Sequence, residues 1–193
     1  MSSPEYIRTD AAEDAVSSLE LAADFYDQAA LDARYWKWFV VALHAGIQGT
    51  FALALEGGNG LLVQKPSVMA ATLAAHDKGE VPPRPYMDNF QKLYKKLQRR
   101  ENLRSSNSLP IPASSEQELA LASLDEFRDE FLHFNTKSWS IERELIVLRA
   151  RGSLEVASFL VSRSGAIFWH ELNHEERAKS AINRLYKSLN EEG

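Results

Sequence analysis

The chain has no cysteine among its 193 residues. That absence excludes disulfides, thiolate metal sites and a cysteine nucleophile, and it fits a reducing compartment. An apolar N-terminal run is also missing. "MSSPEYIRTDAAEDA" is polar and acidic where a signal peptide is apolar, so the expected location is cytoplasmic. Positive charge is not in excess either. Lys and Arg number 22 against 27 Asp and Glu, and the formal net charge of −5 opposes nucleic-acid binding by the whole surface. A local basic patch stays open. No hairpin signal and no internal repeat is found. "AIFWH" at 166–170 reads as extended, but one strand makes no sheet.

What is present is helical. The chain is 45% hydrophobic and 25% charged, an ordinary soluble composition, and its length suits a single domain over 1–193. Asp10-x-x-Glu13 reads as a capping box opening a first helix, with Val16, Leu19, Ala23, Tyr26 and Ala30 as its buried stripe. "YWKWFVVALHAGIQGTFALAL", residues 35–55, is long enough to cross a bilayer. Lys37, His44 and Gln48 interrupt it and its flanks are not basic, so the expectation is the central helix of a bundle, with no membrane partner. "EGGNG" ends that helix.

Pro66 opens a short third helix. A fourth is expected from Met87 to Leu103, and "RSSNSLPIPASS" then reads as a loop. Ser115-x-x-Glu118 reads as the cap of a fifth. Another is expected from Ser140 to Arg163 with a stripe of Leu145, Leu148, Gly152, Val156 and Phe159. The last starts near Asn173, runs to about 190 and packs on the bundle through Ala178, Ala181, Ile182, Leu185, Tyr186 and Leu189. The expected fold class is all-α, an antiparallel helical bundle of about five to seven helices.

Three stretches carry candidate chemistry. His170-Glu171-x-x-His174 matches a zinc-protease pattern, which needs both histidines on one helical face and a third ligand. Asn173-x-x-Glu176 reads as a helix start, which leaves His170 outside the helix, and no third histidine follows. No metal and no cofactor is expected. "NFQKLYKKLQRRENLR" places Lys92, Lys95, Lys96, Arg99 and Arg100 on one face of an ideal helix, opposite Phe90, Leu93 and Leu97. Such a stripe is either a solvated face or a binder of phosphate backbones.

The third stretch is "FRDEFLHFNTKSWSIE", residues 127–142. Ala120, Leu124, Phe127, Phe131 and Phe134 form a buried stripe, and Arg128 sits on its edge, where burial without an anionic partner is costly. His133 lies five residues on, about 140° round an ideal helix from Arg128, so the two cannot converge on one phosphate from one straight helix. Asp129 and His133 are four apart and can touch. Lys137 and Trp139 follow, to bind substrate or to anchor the turn. On these residues alone, Arg128 and His133 are structural, catalytic or simply binding.

"RDEFLH" resembles the Arg-polar-x(3–5)-His motif of the HEPN superfamily, the higher-eukaryote and prokaryote nucleotide-binding domains, in which the polar position is commonly Asn, Asp or His. The resemblance implies a helical bundle and a homodimer whose two motifs share one cleft, the arginine of one chain complementing the histidine of the other. Many members resemble metal-independent endoribonucleases, often toxins or antiviral effectors; others bind nucleotides or protein partners without catalysis. The resemblance implies that His133 moves a proton at the ribose 2′-OH or the 5′-oxygen, that Arg128 holds the scissile phosphate, and that Asp129 orients the histidine. Lys92, Lys95, Lys96, Arg99, Arg100 and Lys137 are the candidate RNA contacts, and an antitoxin or a nucleotidyltransferase is the implied protein partner.

Overall fold

A computed structural model describes residues 6–7, 9–133, 136 and 138–191. Its architecture follows from one helix. In α2 (Tyr35–Leu55), Phe39, Leu43, Ile47, Phe51 and Leu55 recur at every fourth position and are all buried. Residues four apart stack on one helical face, and burying such a side chain stabilises by about 1.5–3 kcal/mol. By length and composition α2 is apolar enough to cross a membrane, but 67% of its most apolar window is buried inside the protein. It is the axis of the bundle.

The protein is all-α, with seven α-helices and no strand among the described residues. Around α2 lie α1 (Ala11–Ala29), α5 (Ser115–Leu132) and α6 (Arg143–Ser162), with α7 (Leu172–Glu191) against α1 and α6. Consecutive long helices alternate in direction. Gly46 of α2 faces Leu19 of α1 while Gly49 faces Ala15, so those helices run antiparallel. Gly152 of α6 meets Ala120 of α5, and Glu155 accepts from Gln117. The up-and-down order makes α7 parallel to α1, and that seam is ionic. Arg177 joins Glu13 and Glu20, and seven residues on Arg184 joins Asp24 and Asp27.

The smaller elements form one edge. Pro66 begins α3 (Pro66–Lys78), whose only buried residue is Ala75. The segment before it is pinned to α4 (Phe90–Leu97) by one lysine. Lys96 pairs with the buried Asp88 at 2.9 Å and donates to the carbonyls of Leu62 and Gln64. A buried carboxylate requires such a partner.

Several local expectations shift. The N-cap of α5 is Ser114, whose hydroxyl accepts from the Gln117 amide, and not Ser115. The helix α6 begins at Arg143 and buries Ile146, Ala150, Leu154, Ala157 and Leu160, leaving Leu148 exposed; of the expected stripe Val156 is buried. The fourth helix stops at Leu97 instead of running to Leu103. Asn102 donates to the Lys96 carbonyl and the Ile111 amide to that of Leu97, so the last carbonyls are taken by donors outside the helix. In α7, Ala178, Ala181, Ile182, Leu185 and Leu189 are buried as the spacing predicts.

Two predictions follow from these seams. A Cβ at Gly49 would lie 2.5 Å from the Ala15 Cβ and 2.9 Å from its Cα. Alanine favours a helix over glycine by about 1 kcal/mol, but forcing two backbones apart costs about 1–3 kcal/mol and Ala15 has no rotamer to yield. Gly49→Ala should therefore lower Tm by a few degrees; a raised Tm would mean that the α1–α2 contact is loose. The hydrogen bond from Arg177 holds the Glu13 carboxyl down from 4.5 to about 2, against a smaller upward push from burial. This stability is present above pH 4.5 and is lost as the pH falls toward 2. Urea unfolding across that window should show a shallower loss in Glu13→Gln than in the wild type; parallel curves would contradict the assignment.

Candidate functional site

The motif helix α5 carries Arg128 half-buried on its flank and ends at His133. The backbone of His133 leaves the helix at φ −83°, ψ 114°, while its amide still donates to the Asp129 carbonyl at 2.9 Å. Its ring is exposed. The Arg128 guanidinium lies between two carboxylates, donating to Asp129 at 2.5 Å and to Asp125 at 3.4 Å. The Asp129 side chain thus goes to Arg128, and the expected contact between Asp129 and His133 is not formed. The Arg128 bonds run to Asp125 and Asp129, and its backbone position lies about 140° round an ideal helix from that of His133.

Asp125 extends this pair into the core. The oxygen that accepts from Arg128 also bonds Nε2 of His44 on α2, at 2.8 Å. His44 is buried, and its ring stacks on Phe90 of α4 with centroids 4.2 Å apart. Burial pushes its pKa down; the hydrogen bond to Asp125 pulls it up, and the nearby Arg128 adds to the downward push. A carboxylate on a buried neutral imidazole fixes its tautomer, with the proton on Nε2. His44 is legible in the sequence as a polar break in an apolar helix. Its partner is not, because the two lie 81 residues apart.

The basic candidates divide. Lys92 and Lys95 are exposed on α4, Lys95 within 3.4 Å of Glu118. Lys96 is turned inward to Asp88 and two carbonyls. Arg99 and Arg100 are exposed but lie past the end of α4, Arg99 in extended backbone. The continuous stripe of five is therefore not formed. Lys137 and Phe134 lie outside the described residues.

The rival histidines separate. His170 precedes α7 and packs edge-on to Phe168, whereas His174 is buried on α7 and bonds Glu13 at 3.0 Å. The zinc-protease geometry is not formed, and among the described residues no three His, Cys, Asp or Glu gather closely enough to hold a metal.

Beside the motif is a groove of about 370 Å³. It lies where the end of α5 meets the starts of α2 and α6, between Trp36, Phe131, Trp139 and Arg143. Trp139 stands edge-on to Phe131 at 4.7 Å, and the Arg143 guanidinium lies 5.1 Å over the Trp36 ring. Sequence reasoning singled out Trp139 and missed Trp36 and Arg143, which only the tertiary fold brings there.

Because burial keeps His44 neutral, it contributes stability that is full above about pH 6.5 and declines as the pH falls and the unfolded state takes up the proton. Asp125→Asn removes the hydrogen-bonded charge that does most to pull the pKa up, leaving only the weaker pull of Asp129. An NMR titration should find His44 lower in that variant than in the wild type; an unchanged value would mean that the hydrogen bond does not form.

Compared with models of protein families, with curated proteins and with solved structures, the chain matches none.

Proposed function

We infer that the chain is a metal-independent endoribonuclease of HEPN type that works as a homodimer. One observation carries this reading. The motif helix presents a half-buried guanidinium held by two carboxylates and, five residues on at its C-terminal cap, an exposed histidine. Five residues set their backbone positions about 140° apart round an ideal helix, an arrangement that does not aim both at one phosphate from one chain. Two copies related by a two-fold axis can do so, each lending its Arg128 to the other's His133.

In that cleft His133 takes the proton from the ribose 2′-OH. The 2′-oxygen attacks phosphorus, the bond to the 5′-oxygen breaks, and that oxygen leaves protonated. The products are a 2′,3′-cyclic phosphate and a 5′-hydroxyl. The imidazolium formed in the first transfer gives its proton to the departing 5′-oxygen, so one histidine serves as base and then as acid. Arg128 neutralises the developing phosphorane charge with its fork of N–H donors, and Asp125 and Asp129 hold that fork in one orientation. Asp129 is here a positioning group for the arginine. Lys92, Lys95, Arg99 and Arg100 supply exposed charge for the RNA backbone, each phosphate contact releasing counterions. The setting is a cytoplasmic toxin or phage-defence system, with an antitoxin or a nucleotidyltransferase as the partner that restrains the enzyme.

A second reading is a non-catalytic helical module that binds a nucleotide or a protein. It is favoured by the two carboxylates on Arg128, one of them shared with a core histidine, since that arrangement also suits a purely structural arginine.

RNA cleavage in EDTA separates the two. Wild-type protein should cut RNA and leave cyclic-phosphate ends. His133→Ala should lower the rate by roughly 10²–10⁴-fold, with Tm nearly unchanged because the ring is exposed. Arg128→Ala should be comparably impaired. A wild type that leaves RNA intact, with a large Tm loss in Arg128→Ala, selects the binding module.

A further inference from the structure

We propose that the aromatic groove at the end of α5 seats one base of a ribonucleotide strand, next to the phosphate held at Arg128. This rests on the ribonuclease reading for the identity of the strand, but the groove stands on its own geometry.

Bases are bound out of a strand by planar surfaces, either aromatic rings or arginine guanidinium planes. The groove offers both. Trp139 is partly exposed at its rim, Phe131 and Trp36 line its wall, and Arg143 lies over Trp36. Ile141 and Ile146 complete an apolar lining. The volume of about 370 Å³ is within the range of about 300–1,000 Å³ typical of small-ligand sites. An aliphatic side chain would fill such a space without using the guanidinium, and a bare anion would not use the rings. A base joined to a phosphate uses both.

Position selects the same ligand. Phe131 is three residues after Arg128 on α5, so the groove begins within one helical turn of the arginine's backbone. A base against Phe131 and Trp139 keeps its own phosphate within reach of the arginine. The groove would then set which base lies beside the cleaved bond.

Binding of the four nucleoside 3′-monophosphates, measured by calorimetry, tests this. The wild type should bind at least one of them, Trp139→Phe should bind it nearly as well, and Trp139→Ala should bind it about tenfold or more weakly. Trp139→Phe keeps a stacking ring and guards against a loss that comes only from misfolding. A wild type that binds none of the four overturns the proposal. So does a Trp139→Ala variant of unchanged affinity, or one whose loss is matched by loss of the dimer in sedimentation, which would make the groove a subunit contact. A protein that binds the mononucleotide through Trp139 but never cuts RNA keeps the groove and ends the nuclease reading. A nuclease whose Trp139→Ala variant has wild-type KM and mononucleotide affinity ends the groove alone.

Discussion

One carboxylate oxygen of Asp125 accepts from His44 in the core and from Arg128 at the surface. The helix α2 carries an imidazole into an interior where an unpaired polar group costs about 1–3 kcal/mol. Asp125 offsets that cost, and in doing so it sets where α5 lies against α2. The same oxygen, with Asp129, fixes the guanidinium fork. The polar demand of the central helix and the orientation of the motif arginine are therefore one constraint. Phe90 adds to it from α4 by stacking on the histidine ring.

The other seams leave that constraint undisturbed because each is satisfied locally. Glycines let α1 approach α2, and Ala120 against Gly152 does the same for α5 and α6. The ionic row of Arg177 and Arg184 holds α7 to α1. Lys96 and Asp88 fasten the segment around α3 to α4. None of these lies at the end of α5, where the chain presents its exposed histidine and its aromatic groove. Function, on this account, sits where the helix stops and not inside it.

The helices were legible because apolar spacing is a local property. The central place of α2 and the buried positions of α7 follow from the sequence with little error. Boundaries were less so. Nothing near Leu97 announces that α4 ends there, because the donors that take its last carbonyls, Asn102 and Ile111, come from the following loop. Reading that helix too long placed Arg99 and Arg100 on a stripe that does not exist. The phase of α6 was misread because "ELIVLRARGSLEVASFLV" is apolar on more than one face, so that several stripes fit it. At the site, Arg128, Asp129 and His133 were visible as a motif, but their pairing was not. Asp129 turns to the arginine beside it rather than to the histidine a turn away. The link from His44 to Asp125, and the meeting of Trp36 with Trp139 and Arg143, depend on tertiary contacts that no local pattern encodes.

The central claim is that the working site takes its arginine from one copy and its histidine from another. Mixing, unfolding and refolding Arg128→Ala with His133→Ala in equal amounts tests it directly. Half of the resulting dimers are mixed, and in each of these one of the two sites is intact, so RNA cleavage should return to about a quarter of the wild-type rate. If both variants are inactive alone and the mixture stays inactive, each chain supplies its own complete site or none, and the composite account is wrong.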